Sequence, residues 1–79
     1  MRVLLFARAR ELAGVEAVEV TLPPNATVAD LRASLAKQCE RIAGLVARSA
    51  IAVDNQYAAD TTPLPATAEV ALIPPVSGG

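Results

Sequence analysis

Apolar residues recur along this chain in different rhythms, and each rhythm predicts an element. Arg2 to Arg8, RVLLFAR, is a continuous apolar run between two arginines. Its length suits a strand, and its lack of alternation predicts burial on both faces, hence a central position. ARELAG then reads as a helical turn or loop, closed by Gly14 in the left-handed region. Between Val15 and Leu22 the pattern alternates. Val18, Val20 and Leu22 fall on one face, Glu19 and Thr21 on the other, which predicts a half-exposed strand. The short connection makes it antiparallel to the first.

Pro23 and Pro24 end that strand. Thr27 is a suitable N-cap, and Asp30 three residues later completes a capping-box pattern. Val28, Leu31, Leu35, Cys39 and Ile42 then recur at intervals of three and four, one apolar stripe along a helix ending near Gly44. A third strand spans about Ala50 to Val53, followed by an Asp-Asn-Gln turn and a short strand near Tyr57. Pro63 and Pro65 place the next segment in a loop. Val70, Leu72 and Pro74 alternate with Ala71 and Ile73 in a last strand, stopped by Pro74-Pro75. The first and last strands are the most apolar, so they belong side by side at the centre, in parallel. This predicts an α+β domain with a mixed sheet of four to five strands and one main helix packed across it, the β-grasp layout. Residues 1–74 form that domain, and 75–79 form an extended, flexible C-terminal tail.

Composition narrows the chemistry. At 79 residues the chain makes one small domain, and 53% apolar residues supply its core. Net charge is −1, with seven basic and eight acidic residues spread along the chain. Without a basic patch, and with only Phe6 and Tyr57 as aromatics, nucleic acid is not an expected partner. No apolar run approaches a membrane span of roughly 20 residues, and MRVLLFARAR has no signal-peptide pattern. A cytoplasmic location is expected. There is no histidine, so a Ser-His or Cys-His nucleophile cannot form, and no metal site is expected. Cys39 lies on the apolar stripe and reads as structural. Asp54 and Asp60 fall in turn-like segments, poor places for an acid–base dyad. The chain is not expected to be catalytic alone.

The ending PPVSGG carries the chemistry instead. Pro74 and Pro75 cannot continue a ladder and favour an extended conformation. Six extended residues reach ~20 Å. Gly78 and Gly79 lack side chains, so such a tail can thread a narrow channel and leave its last carbonyl open to attack. A carboxylate is a poor electrophile and needs activation, for example as an acyl-adenylate.

With VLLFARARELAG (Val3 to Gly14), TVADLRASL (Thr27 to Leu35) and above all EVALIPPVSGG (Glu69 to Gly79) in view, the chain resembles the sulfur-carrier subunits of molybdopterin synthase. These form a ubiquitin-like β-grasp family. The resemblance implies that an activating enzyme, an adenylyltransferase with sulfurtransferase action, uses ATP to adenylate Gly79, and that sulfur then replaces the adenylate as a thiocarboxylate. It implies that the tail, Pro74, Pro75, Val76, Ser77, Gly78 and Gly79, enters the large synthase subunit and gives its sulfur to a cyclic pyranopterin monophosphate precursor. Two turnovers would build the molybdopterin dithiolene in a heterotetramer of two small and two large subunits. No cofactor is bound by this chain itself. Phe6, Arg8, Leu72 and Ile73 are candidates for the partner interface, with core positions the alternative for the apolar ones. Two departures concern loops: Asp54-Asn55 stands where the family has Asn, and Thr67-Ala68 where it has Gly-Asp. Other readings are a carrier for thiamine thiazole or cysteine synthesis, a ubiquitin-like modifier joined to lysines, and a binding module with an inert tail.

Overall fold

The computed structural model describes residues 1–75. The predicted tail positions Val76 to Gly79 lie outside the described residues. Five strands form one sheet: β1 (Arg2–Leu5), β2 (Ala17–Glu19), β3 (Ala50–Val53), β4 (Gln56–Tyr57) and β5 (Val70–Ile73). Their order is β2-β1-β5-β3-β4. β1 and β5 are parallel neighbours at the centre, and every other pair is antiparallel. The expected mixed β-grasp sheet is therefore present.

The main helix, α2 (Val28–Gln38), starts at the predicted cap. The Thr27 N–H donates to Asp30 Oδ2 at 2.9 Å, and Thr27 Oγ1 accepts from the Asp30 N–H at 3.4 Å. Each satisfies a backbone or side-chain group that a helix start would otherwise leave open. Val28, Leu31 and Leu35 are fully buried against the sheet, facing Val3, Leu5, Ile51, Val70 and Leu72.

Four expectations are corrected. The first strand ends at Leu5, because a short helix, α1 (Ala7–Ala13), begins where Ala7 takes a φ of 49°. That helix ends on Gly14 at φ 75°, as expected. β1 is not buried on both faces: Val3 and Leu5 are buried, whereas Arg2 is exposed and Leu4 half-buried. Strand two is confined to Ala17–Glu19, and Val15 is exposed. Finally, the helix does not run on to Gly44. It stops at Gln38, Cys39 leaves helical geometry, and a 3-10 turn (Glu40–Ile42) leads into α3 (Ala43–Val46). Ile42 is buried all the same, so the stripe reported burial correctly and helix continuity wrongly.

Arg32 ties these pieces together. Its Nη1 donates to the carbonyls of Val46 at 2.6 Å and Ser49 at 2.7 Å, and its Nε to Asp60 Oδ1 at 2.8 Å. The end of α3 and the loop after β4 are thereby held to one residue of α2. The turn at Thr67-Ala68 needs no left-handed residue. It closes by a hydrogen bond from the Ala68 N–H to the Pro65 carbonyl at 3.0 Å. Asp54 and Asn55 take positive φ instead, at 49° and 67°, which makes the tight β3–β4 hairpin turn.

Candidate functional site

β5 lies between β1 and β3, so the chain beyond Ile73 leaves from the middle of the sheet rather than from an edge. Pro74 is buried there and Pro75 is exposed. A proline has no N–H to give to the ladder, which is why pairing stops at this point.

Strand register sorts the side chains onto two faces. One face carries the core. On the other, a row of partners runs Ala17, Leu4, Ala71, Ala52 and Tyr57. One step toward the tail exit, Ile73 pairs with Ala50, and Phe6 follows Leu5 at the same level. Leu4, Ala71 and Ile73 are half-buried, while Phe6 is 45% and Tyr57 76% exposed. Small alanines make a shallow floor between two aromatic side chains. An exposed apolar surface of this kind marks a place where another protein can sit, and aromatic side chains are frequent anchors there.

The interface candidates separate on this geometry. Phe6 and Ile73 share the open face, next to the tail exit. Arg8 stands on the first turn of α1, two residues on from Phe6, with a 67% exposed side chain that pairs with Glu11 at 3.7 Å. Leu72 is a correction. It is fully buried on the helix side and has no surface to offer a partner. Since successive strand residues point to opposite faces, Leu72 and Ile73 could not both have belonged to one patch. Tyr57 and Leu4 were not among the candidates. The sheet register alone brings them to this face, and the only sequence signal was an aromatic residue in a short strand.

The side chains considered for other chemistry have structural partners. Asp60 is held by Arg32, and Asp54 Oδ1 accepts from the Glu69 N–H at 2.9 Å. Cys39 is half-buried at the end of α2. Among the described residues no group of three or more His, Cys, Asp or Glu side chains is placed to hold a metal ion. No described helix is long and apolar enough to cross a membrane.

Comparison with known proteins adds to this picture. A molybdopterin synthase sulfur carrier subunit of Arabidopsis thaliana is 33% identical over 79 residues, covering all of this chain and 82% of its own length. The protein of the same description from Synechococcus elongatus is 38% identical over 68 residues, covering 78% of this chain and 73% of its own. Among solved structures, SAMP1 from Haloferax volcanii superposes with a TM-score of 0.83 at 29% identity, covering 99% of this chain and 97% of that one. A complex of subunits 1 and 2 of the Helicobacter pylori molybdopterin-converting factor contains a chain that superposes with a TM-score of 0.67 at 25% identity, covering 99% of this chain and 96% of that one. The ThiS family model matches residues 3–79, taking in the central strands, the capped helix and the Gly-Gly ending together. The chain is thus a ubiquitin-like β-grasp domain and belongs to the ThiS family.

Proposed function

We propose that this chain is the sulfur-carrier subunit of a molybdopterin synthase and that Gly79 is its working residue. The observation that carries the reading is the likeness to proteins of that description, over all of this chain for one and 78% of it for another, and the open apolar face beside the tail exit supports it. An activating enzyme adenylates the Gly79 carboxylate with ATP, and AMP is the leaving group when sulfur replaces it. The thiocarboxylate sulfur then bonds to the cyclic pyranopterin precursor inside a large subunit, and water cleaves the Gly79 acyl–sulfur bond to restore the carboxylate. Subunits 1 and 2 of the converting factor form a complex in Helicobacter pylori, which supports a large-subunit partner here. Phe6, Ile73 and Tyr57 would meet that partner and the chain from Pro75 to Gly79 would enter it, the buried Pro74 staying with the domain. The protein supplies a shaped handle and a terminal carboxylate that becomes electrophilic only once adenylated, and the partners supply the catalytic groups.

Intact-mass analysis after incubation with an activating enzyme, ATP and a sulfur donor tests this. Replacement of one oxygen by sulfur at Gly79 is expected. An unchanged mass with an enzyme that loads its own carrier would overturn the reading. A second reading, a modifier attached through Gly79 to lysines, is favoured by the superposition on small archaeal modifier protein 1 of Haloferax volcanii (TM-score 0.82, 28% identity). Isopeptide adducts ending in Gly-Gly on other proteins of the cell would establish it, and their absence under conditions that activate the tail would exclude it.

A further inference from the structure

We infer that β2 is a self-complementary sheet edge, on which a second copy of this chain docks strand to strand. β2 is the outermost strand on its side of the sheet. Met1 and Val20 exchange both backbone hydrogen bonds at 2.8 Å, and the Leu5 N–H donates to the Glu16 carbonyl at 2.8 Å. Glu16, Val18 and Val20 therefore turn their backbone groups inward to β1. The alternation of an antiparallel ladder turns those of Ala17, Glu19 and Thr21 outward.

Thr21 is already provided for. Its N–H donates to Gln38 Oε1 at 3.0 Å, and Gln38 Nε2 donates to its carbonyl at 3.0 Å. One side-chain amide thus makes both bonds that a neighbouring strand would make. Among the described residues, the outward groups of Ala17 and Glu19 have no such partner. Toward the other end the chain bends at Val15 and Glu16. The open edge therefore runs from Ala17 to Glu19, closed on one side by the Gln38 amide and on the other by a bend. An unpaired edge of this kind is a template for another strand.

A second β2 suits it because one antiparallel register fills it. With a two-fold axis at Val18, Ala17 of each copy faces Glu19 of the other, and each pair exchanges both ladder hydrogen bonds. A shift toward Thr21 would displace the Gln38 amide and set the two Glu19 carboxylates directly opposite, where like charges repel. A shift the other way would oppose Glu19 to the bend at Val15. In the fitting register Glu19 has its own Arg2 on one side and Ala17 of the second copy on the other. On the helix side the two half-buried Val18 side chains meet across the axis. So few residues bury far less than the ~1,200 Å² of a stable interface, which makes this a weak dimer, reversible on dilution. Phe6, Ile73 and Tyr57 stay uncovered in it. The inference stands apart from the sulfur-carrier reading, since it uses no residue of the tail.

Amide exchange of the full chain, followed by NMR from dilute to millimolar concentration, tests this. The Ala17 and Glu19 amides are expected to gain protection as concentration rises, and the Thr21 amide, already held by Gln38, to change little. Ala17→Pro removes an outward N–H without touching a bond to β1, a place where an edge strand tolerates proline. It should abolish the gain, with a urea midpoint near the parent's showing that the domain still folds. Cross-linking gives a second measure that does not need that variant. In a Cys39→Ser background, Val18→Cys puts two thiols on a non-hydrogen-bonded pair with Cα atoms about 4.5 Å apart, a disulfide distance. It should oxidise to a covalent dimer many times faster than Val15→Cys. No added protection at Ala17 and Glu19, association that perturbs only Phe6, Ile73 and Tyr57, a folded Ala17→Pro that still associates, or equal oxidation of the two cysteine variants would each overturn the inference.

Discussion

Ala7 occupies a conformation that its side chain disfavours. At φ 49° the Cβ approaches the backbone closely, at a cost of about 1–2 kcal/mol. The turn it makes separates two neighbours: Phe6 stays half-exposed beside Ile73, while Ala9 is fully buried in the core. Ala7→Gly is expected to raise stability by about 0.5–1 kcal/mol, the relieved strain less the added freedom of the unfolded chain. A urea midpoint no higher than that of the parent would show that the turn is unstrained. Nothing in the sequence announced it, since alanine is not a turn residue and only tertiary packing selects this geometry. Leu72 and Phe6 make the complementary case. Periodicity did show that Leu72 and Ile73 point opposite ways, and the structure decides which side is core. Leu72→Ala should therefore cost about 2–5 kcal/mol, as for other buried leucines. Phe6→Ala should leave the denaturation midpoint nearly unchanged and weaken capture of the chain by a large subunit. A Phe6→Ala variant as unstable as Leu72→Ala would place Phe6 in the core.

At the scale of elements, the signals that proved legible were local ones. The capping box at Thr27 and Asp30, the glycine stop at Gly14 and the alternation of β5 all rest on neighbours within a few residues. The break after Gln38 was not legible, because Cys39 and Ile42 keep the apolar spacing while the backbone turns. What holds the broken segment is Arg32, whose fork reaches two carbonyls at the end of α3 and a carboxylate in the loop after β4. No pattern in the sequence pairs residue 32 with positions 46, 49 and 60. Arg32→Met should cost about 2–3 kcal/mol, from lost charge-assisted hydrogen bonds and unpaired carbonyls. Arg32→Lys should recover only part of that, since an ammonium cannot reproduce the planar fork. Equal midpoints for Arg32→Lys and the parent in urea would show that the charge alone suffices.

Taken whole, the molecule divides its labour along the central strand. One face of β5 builds the core through Val70 and Leu72, the other contributes Ala71 and Ile73 to the open face, and its end releases the tail. Fold and function can accordingly be tested apart, since the buried core is built from residues between Val3 and Leu72. Removing Gly79 should leave the midpoint of unfolding in place and abolish sulfur loading. Appending one alanine after Gly79 should do the same, because it caps the carboxylate that must be adenylated. The substitutions on the open face should behave differently. Phe6→Ala and Tyr57→Ala leave the terminus intact, so their loading should recover when the activating enzyme is raised to high concentration. The Gly79 deletion should not recover at any concentration. A deletion variant that still accepts sulfur would move the chemistry off the terminus, and the open face would then have to be read without it.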